Sequence, residues 1–160
     1  FYEWLSAGWM PTTVPDGVMS GNESIVTDIY YGFDLNSIYL RLDFVKHEEP
    51  LNLKDWTMSV IIESDEQHRI DLKLDAPDNY TLYRKSRNNW VRRSRRNKVA
   101  AGRIIELGIS FRDITVKSGT RVGLTIILFE KGIERERWPR TGRISFVVPD
   151  ENFQSLMWQV

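Results

Sequence analysis

Hydrophobic and polar residues alternate over short stretches along most of this chain, and residues 29–44 show the pattern most clearly. Ile38, Leu40, Leu42 and Phe44 fall on one face while Tyr39, Arg41 and Asp43 fall on the other, the period of two expected of a half-buried strand. Residues 29–33 are β-branched or aromatic, and Asp34-Leu35-Asn36-Ser37 between the two runs carries side chains that bond their own backbone in turns. The stretch predicts a hairpin with one face on a core.

The alternation recurs downstream. Met58, Val60 and Ile62 oppose Thr57, Ser59 and Ile61; Ile70, Leu72 and Leu74 oppose Arg69, Asp71 and Lys73; Ile105, Leu107, Ile109 and Phe111 form another apolar set. Residues 80–85 and 90–94 flank Asn88-Asn89, which predicts a second hairpin with its tip there. Residues 121–130 are apolar on both faces, as in a central strand, whereas 133–138 carry charge on both faces, as at a sheet edge. A first strand is expected over 3–10, then a loop punctuated by Pro11, Pro15-Asp16-Gly17 and Ser20-Gly21-Asn22, and a last strand over 143–148. Residues 111–114 predict a single helical turn. Ten or eleven short strands without an amphipathic helix, linker or repeat predict one all-β domain over residues 1–160, an antiparallel β-sandwich of immunoglobulin or jelly-roll type.

Several short motifs in this pattern resemble a known family. Tyr30-Tyr31-Gly32-Phe33-Asp34, a turn, and Ile38-Tyr39-Leu40-Arg41-Leu42-Asp43-Phe44 are similar to the C-terminal accessory β-domain of glycoside hydrolase family fifty-seven proteins. Glu3-Trp4-Leu5-Ser6-Ala7-Gly8, residues 139–149 and Met157-Trp158-Gln159-Val160 agree in the same order. The resemblance implies a DOMON-like sandwich, related to glucodextranase C-terminal and family-nine carbohydrate-binding modules. It implies a non-catalytic part of a larger α-amylase-like chain, binding carbohydrate (an α-glucan) or packing on and stabilising the parent's catalytic domain.

Composition narrows the chemistry. The chain has 22 basic and 22 acidic residues, so no net field draws it to nucleic acid or an anionic membrane. It has no cysteine, which removes disulfides, thiolate metal sites and thiol nucleophiles. No apolar run approaches a membrane span and no signal peptide is visible, so a soluble protein is expected, in the cytoplasm before other compartments; the start at Phe1 reads as an excised or processed domain. His47 and His68 both sit in polar, turn-like surroundings, and no metalloprotease, nucleophile-elbow or phosphate-loop motif is present. Asp71 with Asp75, or Asp65 with Glu66, are carboxylate pairs without the flanked cleft that glycoside hydrolysis requires. The domain itself is therefore read as non-catalytic. The oxygen-rich loops 16–23 and 63–66 leave a structural calcium open without matching a ligand spacing, and no other cofactor is expected.

The six tryptophans say more. Sugars stack their C–H faces on aromatic rings while Arg, Asn, Asp and Gln bond the hydroxyls. Trp4, Trp138 and Trp158 read as packing residues, while Trp9, Trp56 and Trp90, with Asn89 and Arg92 beside the last, are the candidate sugar contacts. Trp56 and Trp90 have polar neighbours, and each serves as a platform only if its ring reaches solvent; otherwise it caps the core. Residues 85–98 hold seven basic residues and no acid, so Arg87, Arg92, Arg93, Arg95 and Arg96 form a candidate polyanion patch. The alternative is that these charges pair with residues 43–78, where ten acids face four bases. A single aromatic among them argues against nucleic acid.

Overall fold

The structure is a computed structural model that describes residues 7–12, 24–45, 52–96, 99–101 and 104–150, apart from the side chains of Arg95, Arg96 and Ala101. Trp4, His47, Trp158 and the 16–23 loop lie outside these residues. The described residues form twelve strands and no helix. They are β1 (Gly8–Pro11), β2 (Val26–Phe33), β3 (Ser37–Phe44), β4 (Trp56–Glu63), β5 (Gln67–Lys73), β6 (Tyr80–Ser86), β7 (Asn89–Arg96), β8 (Val99–Ala101), β9 (Ile104–Ser110), β10 (Arg121–Glu130), β11 (Ile133–Trp138) and β12 (Ile144–Val147).

Two antiparallel sheets pack face to face as a β-sandwich. One runs β1-β2-β3-β9-β8; the other runs β11-β10-β4-β5-β6-β7, with β12 also on β10. Strand β10 is long enough to seat β11 along residues 126–130 and β12 along residues 121–124 of one edge, while β4 covers the other. Ile127 on its outer face is buried and Thr125 and Phe129 are half-buried, so both faces of this strand are largely covered, which is why its sequence is apolar on both.

The core is what the alternation predicts. Ile29, Ile38, Leu40, Leu42, Leu107 and Ile109 from the first sheet meet Met58, Val60, Ile62, Ile70, Leu72, Leu124, Ile126 and Leu128 from the second, all essentially inaccessible to water. Burial of such side chains contributes about 1.5–3 kcal/mol each before entropy is subtracted. Polar contacts also tie the layers together. Tyr80, fully buried on β6, donates its hydroxyl to the Gly108 carbonyl of β9 at 3.2 Å. At an open end, the Glu136 carboxylate of β11 accepts from the Ile25 amide at 2.9 Å and from the Ser24 hydroxyl. Phe33 of β2 stacks on Phe146 of β12 with centroids 4.6 Å apart.

Some elements differ from the pattern reading. Residues 111–114 make consecutive turns rather than a helical turn: Asp113 N donates to Ser110 O and Val116 N to Phe111 O. Strand β8 is an addition the apolar pattern does not predict, since Val99-Ala100-Ala101 is too short to show a period. The second hairpin turns at Arg87-Asn88, one residue earlier than expected. Ser86 pairs with Asn89, and Arg87 takes a positive φ of 53°.

Candidate functional site

Each sheet turns one face to the core and one outward, and both outer faces carry aromatic rings set among charged groups. On the five-stranded sheet, pairing aligns Trp9, Tyr30, Arg41 and Glu106 across β1, β2, β3 and β9. Trp9 is 58% exposed, and its indole N–H donates to Asp28 Oδ1 at 2.8 Å. The bond fixes a large ring that stands in water. Gly8 lets β1 lie this close: a Cβ there would come within 2.3 Å of the Tyr31 ring, which packs inward.

Beneath Trp9 the face is ordered by charge. The Arg41 guanidinium forks onto Asp43, Nε to Oδ1 at 2.7 Å and Nη2 to Oδ2 at 2.9 Å, and lies 5.2 Å from the centre of the Tyr30 ring. Its pKa is raised by the hydrogen bonds to Asp43, so it is a fixed cation. One row further, Tyr39 pairs with Gly32 on one side and Gly108 on the other, and so stands over bare backbone. Tyr39 is 38% exposed and donates to Asp34 Oδ2 at 3.0 Å; burial first, then that bond, holds its phenol above the ordinary range. Strand spacing and rise place the Trp9 and Tyr39 backbones about 12 Å apart. Gly32, where the nearest atom to a built Cβ is the Ala7 methyl at 3.9 Å, leaves the strip between them open.

On the seven-stranded sheet, Trp90 and Tyr83 lie on adjacent strands β7 and β6. The Arg69 guanidinium carbon sits 4.7 Å from the Tyr83 centroid and 5.1 Å from that of Trp90, and the Lys85 ammonium lies 5.8 Å from Trp90. Arg69 is held in turn by Asp71 at 3.0 Å, and Asp71 accepts from the Ser59 hydroxyl at 2.7 Å. Asn89, Arg87, Arg92 and Arg93 are exposed around this group, while Arg95 and Arg96 lie in β7 opposite Thr81 and Tyr80.

Trp56 takes its other reading. Asp55 adopts a positive φ of 65°, the Trp56 amide closes a turn onto Leu53 O, and the half-buried ring packs on the core. Trp138 is buried opposite Ile126. Tyr30, Tyr39 and Tyr83 are site residues that reasoning from single tryptophans passed over. The Tyr39-Arg41-Asp43 face was visible in the alternation, but its cross-strand neighbours were not.

Other polar groups gather at one end of the sandwich. An open cleft of about 800 Å³ is lined by Glu63, Asp65, Arg121 and Arg143 with several hydroxyls, and Arg143 pairs with Glu63 at 2.5 Å. Beside it His68 is buried among core residues, with Nε2 3.8 Å from Glu66 and Nδ1 lacking a hydrogen bond. Burial pushes its pKa below the ordinary value, against the pull of Glu66 and with the help of Arg84 and Arg93. Glu66 is held by Arg84 at 3.3 Å and by the Thr115 hydroxyl at 3.0 Å. Among the described residues, no three carboxylates or imidazoles converge to hold a metal, the 63–66 loop included. Among the described residues, no helix is long and apolar enough to cross a membrane.

The arrangement therefore provides two outward faces that can take ligands by stacking, hydrogen bonding and charge. Comparison with known proteins adds no assignment: no family model, curated protein or solved structure matches the chain.

Proposed function

We propose that this domain is a non-catalytic accessory module that binds a neutral glycan on the outer face of the five-stranded sheet, with Trp9 as the stacking platform. The observation that carries the reading is an exposed indole held in one orientation by its bond to Asp28. Ordering a large side chain beforehand lowers the entropy cost that a weakly binding sugar must otherwise meet. Tyr39 offers a second ring across an open strip, and Asp28, Asp43, Arg41 and Glu106 set acceptors and donors around it. An α-glucan is the first polymer to test, on the motif resemblance to family fifty-seven accessory domains. The acid and nucleophile of any hydrolysis belong to another part of a parent chain.

Tryptophan fluorescence titrated with maltooligosaccharides and soluble starch tests this. A saturable change is expected, weakened about tenfold or more by Trp9→Ala and retained by Trp90→Ala in proteins that remain folded. Loss in Trp90→Ala alone would move the platform to the other sheet. No response at millimolar sugar would leave the domain as a packing module for a catalytic neighbour.

A further inference from the structure

Positive charge is distributed unevenly over this neutral chain. Away from the β6–β7 hairpin, four arginines are neutralised locally, Arg41 by Asp43, Arg135 by Glu130, Arg137 by Glu134 and Arg143 by Glu63, and the described ones without an ion pair, Arg112, Arg121 and Arg140, are scattered along the chain. Around the hairpin, among the described residues, the acidic segment supplies Asp71 to Arg69 of β5 and Glu66 to Arg84 of β6. Among the described residues, no carboxylate lies within ion-pair distance of Lys85, Arg87, Arg92 or Arg93.

The fold concentrates these four. Lys85 faces Trp90 across the β6–β7 ladder and Arg92 faces Tyr83, so both stand on the outer face beside Arg69 of β5, with neighbouring strands about 4.8 Å apart. A bulge then shifts the register: Leu82 pairs with Ser94, Tyr83 pairs with Arg92, and Arg93 is the extra residue. Arg92 and Arg93 are both exposed at this edge strand, Arg92 beside Tyr83 on the outer face and Arg93 on the bulge. Arg87 adds a charge at the exposed tip.

The rings in this patch are already engaged. Trp90 has two cations at its ring and Tyr83 one, so the aromatics hold positive charge in place through their quadrupoles. A base or a sugar face would have to displace those cations; an anion would be drawn to them. This separates the hairpin from the Trp9 face in chemistry as well as in position.

We propose that the outer face of β5, β6 and β7, together with the β7 edge and the hairpin tip, binds an acidic polysaccharide, whose carboxylate or sulfate groups engage Lys85, Arg87, Arg92 and Arg93. The inference rests on the glycan reading only for its choice of polymer. Its residues lie on the opposite sheet from Trp9, so either site can fail alone.

Fluorescence anisotropy of labelled polygalacturonate and labelled dextran sulfate, each titrated with the domain, tests the proposal and distinguishes carboxylate from sulfate. Four cations releasing about 0.7 counterion each imply a loss of affinity of about 50-fold between about 50 and about 200 mM salt. Lys85→Ala with Arg92→Ala should weaken binding at low salt and reduce that loss to about sevenfold. Lys117→Ala with Lys131→Ala removes equal charge at exposed positions elsewhere and should leave binding unchanged. Trp9→Ala should have no effect on either polymer. The proposal is overturned if the control pair weakens binding as much as the hairpin pair, if neither polymer binds at low salt, or if a single-stranded RNA of matched charge binds more tightly than both.

Discussion

Tyr80→Phe removes a hydroxyl that joins the two sheets through their core. The ring is fully buried and the substitution keeps its shape, so no cavity forms and the change reports what the hydroxyl bonds, the Gly108 carbonyl included. At 3.2 Å that bond is longer than the usual hydroxyl–oxygen range, which places it in the lower part of the 0.5–1.5 kcal/mol that a neutral hydrogen bond contributes net. A loss of about 0.5–1 kcal/mol is expected, a fall in Tm of about 1–4 °C for a domain of this size. Tyr80→Ala adds the loss of a buried aromatic ring and should cost about 3–5 kcal/mol. Urea unfolding followed by fluorescence, with thermal melts in parallel, measures both. An unchanged midpoint for Tyr80→Phe alongside a large loss for Tyr80→Ala would refute the view that the cross-sheet bond contributes to stability. A changed m-value would mean that the unfolded state had altered instead.

Other expectations follow from single contacts. His68 is favoured in its neutral form by burial, so below its ordinary pKa of 6.5 the unfolded chain takes up a proton that the folded chain resists, and stability falls with pH until the depressed folded pKa is passed. His68→Leu should flatten that part of a stability–pH profile, and an unchanged slope would assign it to other groups. Glu136→Gln should cost about 1–3 kcal/mol by weakening the charge-assisted bonds to Ile25 and Ser24, read by urea unfolding, with hydrogen exchange quickening at the Ile25 amide. Gly8→Ala should destabilise by about 1–3 kcal/mol because its methyl meets the Tyr31 ring, while Gly123→Ala should cost less because the Arg143 side chain in its way is exposed and flexible. Asp28→Ala should leave the fold intact but speed solvent exchange of the Trp9 indole proton, measured by NMR, and weaken glycan binding about two- to tenfold.

What could be read from the sequence was whatever a period of two encodes. Strands β3, β5 and β9 alternate in sequence because one face is buried and the other meets water, and β10 is apolar throughout because Ile127 on its outer face is buried as well as Val122, Leu124, Ile126 and Leu128 on its inner one. The site was less legible because its geometry depends on pairing. Trp56 has charged neighbours in sequence, yet a left-handed Asp55 rotates its ring inward, and neighbours at a strand's first residue do not report which face it takes. The outward direction of Trp9 is fixed by the register of β1 on β2. The run Arg92-Arg93-Ser94-Arg95-Arg96 has no apolar member to mark an inner face, so its bulge left no signal in the pattern. Among the described residues the acids of 43–78 that reach this region are Asp71 and Glu66, and they pair with Arg69 and Arg84 rather than with Lys85, Arg87, Arg92 or Arg93.

Trp9 and the basic hairpin lie on the outer faces of two sheets whose backbones are separated by about 10 Å of packed side chains. A stiff extended polymer lying on one face cannot bend around that thickness to reach the other, so two ligands would not compete. With both faces occupied the domain becomes a divalent node joining two chains of different charge. Such a node acts on the material around it: mixtures of a neutral and an acidic polymer should turn cloudy near equivalence and clear again when either polymer, or the protein, is in excess.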